Sequence, residues 1–211
     1  MRNALEISDE VKLLGVVITR DLKWHKNTSY LTKKANKKMR MLHLASKFTR
    51  NRDHLKHIYK TFIRCNLEFS STVWHSSLTQ ADRQDLERIQ RAAVKVILKN
   101  DYESYEQALG LLKIESLDQR RETMALKFAK NSLKNHNFSK LFPLKMANHQ
   151  MKVRNSEKYV VNTSKTKRYQ ESAVPYLQGL LNRDYFEERQ SFKRLFEDES
   201  LKYDAKKQRY K

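Results

Sequence analysis

The sequence predicts a mainly α-helical protein, a bundle preceded by a short β element and followed by a charged C-terminal extension. Three observations lead there. Glycine occurs only three times and proline twice in 211 residues, too few for a turn-dense β-sandwich or a Gly-rich phosphate loop. Apolar residues recur at steps of three and four through most of the first 135 positions, the period of an amphipathic helix. Charged residues reach 32% against 39% apolar, so thin cores should lie beside solvated helix faces.

The run Val11 to Ile18 is short, β-branched and bounded by Thr19-Arg20-Asp21, which favours one buried strand. Asn27, Thr28 and Ser29 then offer N-caps for a long helix carrying Leu31, Ala35, Met39, Leu42 and Ala45 on one face and ending near Phe48. Asp53 can cap a second helix with Leu55, Ile58, Tyr59, Phe62 and Ile63 on a common face, expected to pack on the first. Ser70-Ser71-Thr72 interrupts it before Val73-Trp74. Thr79 and Asp82 form a capping-box pattern for a third helix through Leu86, Ile89, Ala93, Val96 and Ile97. A short helix over Ser104 to Leu112 and another through Leu117, Met124, Ala125, Phe128 and Leu133 follow. From Asn135 to Ser156 periodicity is lost, as in a linker. Tyr159 to Val161 reads as a short strand, Ser172 to Asn182 as a helix interrupted by Pro175, and residues 183–211 as a charged tail. Four segments result: 1–26, 27–135, 136–182 and 183–211.

Lys and Arg total 44 against 24 acids, a net +20, so a partner bound by charge should be anionic, nucleic acid first. The charge is regional. Residues 27–52 hold eight cations and no acid, and 136–170 hold eight cations and one acid. On a helix of about 100° per residue, Lys33, Lys37, Arg40 and Lys47 fall opposite Leu31, Met39 and Leu42. Arg88, Arg91 and Lys95 align likewise opposite Ile89, Ala93 and Ile97. Like charges at these spacings repel by roughly 0.2–0.5 kcal/mol per pair, so a face without acids points to an anion from outside, and two such ridges on neighbouring helices would follow a phosphate backbone. Leu44 breaks the first ridge.

Other chemistry is sparse. Cys65 is the single cysteine, which excludes an internal disulfide framework and a thiolate zinc cage. It reads as a small hydrophobe on the flank of an apolar face. His54 and His57 are three apart, but nothing completes a metal-ligand set by spacing. Trp24 and Trp74 each end an apolar run and read as core residues. No Gly-x-Ser-x-Gly, His-Glu-x-x-His or Walker pattern occurs. No run is long and apolar enough for a membrane span, and no secretory signal opens the chain, so membrane partners are not expected and the protein reads as intracellular, in cytoplasm or nucleus. The oligomeric state is not legible.

The order of several blocks resembles the C-terminal part of the reverse transcriptase of non-LTR retrotransposons, LINE elements of the jockey-like kind. The blocks are Lys12-Leu13-Leu14-Gly15-Val16, then Leu22-Lys23-Trp24-His25 and the Lys-rich helix. Next come residues 58–64 (IYKTFIR), 67–74 (LEFSSTVW) and 86–93 (LERIQRAA), with Leu117-Asp118-Gln119-Arg120-Arg121 and residues 168–176 (RYQESAVPY) completing the series over about residues 5–182. The resemblance implies the end of the palm, with Leu14 and Gly15 lying primer-grip-like against the primer terminus. It further implies a helical thumb-like domain that holds RNA, DNA or their hybrid as template and primer. In that family nucleotidyl transfer by two metal ions needs an Asp on an earlier palm strand and an aromatic-x-Asp-Asp hairpin, and neither is present in this sequence. A chain starting at Met1 would begin after that hairpin. No catalytic residue or cofactor is therefore expected here, Mg²⁺ belonging to the missing palm, and the isolated chain should be inactive as a polymerase. An alternative is a host-coopted helical module that binds a protein partner without nucleic-acid function.

Overall fold

The computed structural model describes residues 8–145, 158–161, 165–187 and 190. It is mainly helical, with one two-stranded antiparallel sheet near the N-terminus. The chain divides into two compact units, one up to Ala125 and one from Leu126 onward.

The first unit opens with a hairpin and not the single buried strand expected. β1 (Glu10–Leu13) pairs with β2 (Val16–Thr19) in the register Glu10 opposite Thr19 and Leu13 opposite Val16. Leu14 and Gly15 form the two-residue turn with φ of +47° and +89°, left-handed at both central positions, the geometry that matches the twist of the flanking strands. β1 is exposed along its whole length, and only Val16 and Thr19 of β2 are buried.

α1 (His25–Phe48) starts two residues before the expected caps. Trp24 takes the capping position without a side-chain bond, and Asn27 is freed to accept from the Val17 amide at 3.1 Å, tying the hairpin to the helix. α2 (Arg52–Ile58) is capped by Asn51, whose Oδ1 accepts from the amides of Asp53 and His54; Asp53 itself lies in the first turn. The helix continues through a π-helical stretch, Tyr59–Arg64, into α3 (Cys65–Leu67). A π turn inserts extra residues into the helical repeat, which buries Tyr59 and Ile63 but turns Phe62 outward, against the shared face expected. It also exposes Cys65, whose thiol donates to the Thr61 carbonyl, so its reading as a packed small hydrophobe does not hold.

Ser70, at φ +51°, breaks the run before α4 (Ser71–Trp74). Trp74 is fully buried and donates through Nε1 to the Phe69 carbonyl at 3.0 Å. α5 (Gln80–Leu98) is capped as the sequence indicates, Thr79 Oγ1 accepting from the Asp82 amide at 3.2 Å and donating to its carboxylate at 2.6 Å. α1 and α5 pack along each other in the same direction. His25 meets Asp82 at 3.0 Å at their starts, and Lys99 donates to the Ser46 carbonyl at 2.5 Å at their ends. α6 (Tyr105–Leu112), capped by Ser104, and α7 (Leu117–Leu133) follow. The core joins Leu31, Leu42, Leu55, Ile63, Trp74, Leu86 and Leu117, each at most 2% exposed.

In the second unit Asn135 caps α8 (His136–Ser139), so the expected linker is structured to Lys145; its remainder, 146–156, lies outside the described residues. Tyr159 forms a single bridge with Leu144 in place of a strand. α9 (Lys167–Gln170) precedes α10, residues 173–187. Pro175 does not interrupt α10: it lies in the first turn, where a missing amide costs no intrahelical bond. The helix crosses the expected boundary at 183, and most of the proposed tail, 191–211, lies outside the described residues. Leu177, Leu180 and Leu181 are buried, Gln178 Nε2 donates to the Leu141 carbonyl at 2.7 Å, and Asn182 makes a two-point contact with the Tyr159 backbone.

Candidate nucleic-acid interface

The row on α1 stands where helical periodicity places it. Lys33, Lys37, Arg40 and Lys47 are exposed, opposite the buried Leu31, Ala35, Met39 and Leu42. Lys34 and Lys38 are exposed as well, and none of these six cations forms an ion pair among the described residues. Of the eight cations in 27–52 only Arg52, joined to Asp101, has a carboxylate partner among the described residues.

The row on α5 is different. Arg88, Arg91 and Lys95 are exposed, but Arg88 pairs with Asp85 at 2.8 Å. Arg91 lies over the Tyr105 ring at 4.8 Å and Lys95 over the Tyr102 ring at 5.1 Å. Cation and ring attract without cancelling the charge, so two of the three remain available to phosphate. Tyr102 lies in the turn before α6 and Tyr105 at its first residue. The helices carrying the rows are neighbours, yet no hydrogen bond, ion pair or ring contact among the described residues joins one row to the other.

Beside the α5 row a groove of about 660 Å³ runs between α5 and the starts of α6 and α7. Arg83, Arg88 and Arg91 line it together with Glu87, Glu106 and Asp118, so its walls carry both signs, and Arg83 is paired with Asp118. It is therefore not the basic track. Its walls are interior wiring that sequence reasoning did not find. Tyr59 donates to Gln90, which donates to Tyr105 Oη at 2.8 Å and to the Glu115 carbonyl at 3.0 Å. Tyr105 in turn donates to Glu87, which also accepts from the Leu117 amide at 3.2 Å. Burial raises the pKa of both tyrosines, Tyr59 strongly. Asp118 pairs with Arg83 and lies 3.6 Å from the fully buried Arg121, whose Nε donates to His75 Nδ1 at 3.3 Å. Burial first, then the Arg121 and Arg83 charges, lower the His75 pKa to about 4. Apart from Asp118 and Arg121, three apart, these partners lie 15 to 46 residues from one another and carry no periodic signal in a sequence, unlike the Thr79/Asp82 cap.

Leu14, at the hairpin tip, is 88% exposed. Gly15 meets the Phe69 ring, which a Cβ would approach to 3.0 Å. His54 and His57 are exposed, and no group of three His, Cys, Asp or Glu side chains able to hold a metal ion occurs among the described residues. No helix of the described residues is long and apolar enough to cross a membrane. No family model, curated protein or solved structure matches the chain.

Proposed function

We propose that this chain is a reverse-transcriptase segment of retrotransposon origin, palm end and thumb without the catalytic aspartates, whose remaining activity is nonspecific binding of nucleic acid. The observation that carries the proposal is the row of unpaired cations on α1. Six lysines and arginines stand exposed from Lys33 to Lys47 with no acid among them, over about 21 Å of helix. Such a row gains most from a partner that brings one anion per cation at regular intervals and releases counterions when it binds. Arg91 and Lys95 on α5 add two further contacts. The block order resembling the LINE reverse transcriptases supports template and primer as the form that nucleic acid takes.

Binding of a labelled primer-template with a single-stranded overhang, followed at several salt concentrations, tests this. With about six phosphates neutralised, affinity falls roughly 10³-fold between 50 and 200 mM salt. A flat salt dependence, or equal affinity for any flexible polyanion, defeats the proposal. The purified chain with Mg²⁺ and labelled nucleotide should give no incorporation on the same substrate.

A further inference from the structure

α1 carries an apolar seam that the core does not use. Met41, Leu44 and Phe48 are 36%, 56% and 83% exposed, whereas Leu31, Ala35, Met39 and Leu42 on the other side of the helix are buried. At about 100° per residue the three seam residues share a sector roughly 60° wide. Lys37 continues that line toward the N-terminus. Arg40 and Lys47 flank it on one side, Lys34 and Lys38 on the other, all exposed. What sequence reading treats as a flaw in a basic ridge, Leu44, is the centre of a mixed surface.

A partner for this face must bring negative charge and flat apolar surface together. An acidic amphipathic helix has both, but a stable protein interface takes about 800 Å² from each partner, more than three side chains on one helix supply. A duplex brings phosphates, but its base faces are stacked on one another. A single strand brings phosphates to the cations and unstacked bases to the apolar side chains. Base stacking on an aromatic side chain is worth roughly five- to a hundredfold in affinity per base, in addition to the phosphate contribution. From Lys33 to Phe48 the helix runs about 22 Å, room for about four nucleotides, the lower end of single-strand site sizes.

We propose that the C-terminal half of α1 binds an unpaired stretch of nucleic acid, with bases on Met41, Leu44 and Phe48 and phosphates on Lys34, Lys37, Arg40 and Lys47. This rests on the nucleic-acid reading above and adds which form of nucleic acid the face selects.

Fluorescence anisotropy with a labelled oligothymidylate, a blunt duplex of equal length, polyglutamate and phosphatidylserine vesicles separates the outcomes. Phe48→Ala weakens oligothymidylate binding about tenfold, leaves its salt dependence unchanged and leaves the duplex unaffected. Arg40→Gln lowers the single-strand salt slope by about 0.7. Phe48 is so exposed that its removal leaves the fold intact, which far-ultraviolet circular dichroism checks. If Phe48→Ala and Leu44→Asn leave oligothymidylate binding unchanged while Arg40→Gln still lowers the slope, the single-strand assignment is overturned and the phosphate reading survives. If neither nucleic acid binds in a salt-dependent way, both fall. If Phe48→Ala weakens only polyglutamate or vesicle binding, the face belongs to a protein or a bilayer and the assignment is again overturned.

Discussion

Arg121 carries a fully buried charge in the first unit. Its guanidinium lies 5.9 Å from the Trp74 ring centre, and neither Nη atom has a hydrogen-bond partner. Burial lowers its pKa, against the opposing pull of Asp118 and Glu87. A buried charge so incompletely satisfied contributes volume more than charge, since desolvation offsets much of the ion-pair attraction. Arg121→Ala should therefore lower stability by about 3 kcal/mol through the cavity it leaves, and Arg121→Met by clearly less. Urea unfolding of the two variants checks the order; a Met variant as unstable as the Ala variant would show that the charge itself holds the site. His75 gives a pH signature from the same cluster. Its Nδ1 accepts from Arg121, so protonation there removes an acceptor and sets a charge beside Arg121 and Arg83, with Asp118 the opposing carboxylate. The folded-state pKa of about 4 lies below the ordinary value of 6.5, so the unfolded chain takes up the proton first as pH falls. Stability is intact above pH 6.5 and is lost toward pH 4, by on the order of 3 kcal/mol. Thermal unfolding across that range, with His75→Gln flattening the profile, is the measurement.

At the scale of elements, the shortage of glycine leaves its mark on turns and helix ends. α6 ends with Lys113 at φ +51°, its amide bonded to Gly110 and the Ile114 amide to Leu109, a Schellman arrangement that glycine fits best. Lys113→Gly should raise stability by about 1 kcal/mol, the left-handed strain relieved being of that order; calorimetry reads it as a higher Tm. Gly15 is the opposite case. With φ +89° and Phe69 in contact, Gly15→Ala meets both backbone strain and a ring that must move, and should cost about 1–2 kcal/mol. The hairpin would loosen from Phe69 while α1 and α5 keep their packing, which amide exchange along β1 and β2 would report. The π turn between α2 and α3 shows why a single apolar period over 55–63 failed: inserted residues rotate everything after them, so Ile63 stays inside and Phe62 faces out.

Across the whole molecule the net charge of +20 works against compactness wherever it is not paired. The cations of α1 from Lys33 to Lys47 have no carboxylate partner among the described residues, and their mutual repulsion is screened by salt over a Debye length of about 10 Å at 0.1 M. Raising NaCl from low to moderate ionic strength should therefore raise the Tm of the free protein while weakening its hold on nucleic acid. The two trends are opposite in sign and come from the same side chains. Lys37→Glu should carry both effects at once, stabilising the free protein by about 0.5 kcal/mol and lowering affinity. A Tm that falls with salt would show that attractive pairs, and not repulsion along α1, dominate the surface.

The long helices α1, α5 and α7, the Thr79 cap, the buried faces of α1 and α5 and the exposure of their cations follow from period and residue chemistry, because each depends on neighbours within four positions. Tertiary structure decided the rest. It turned Val11 to Ile18 into a hairpin, since a chain reversal at Leu14-Gly15 is worth its strain only when β2 has α1 to lie on. It placed Arg91 and Lys95 on aromatic rings, paired Arg83 with Asp118 and buried Arg121 beside His75. Those pairings join residues distant in the chain, and only packing brings them within reach of a hydrogen bond or a charge.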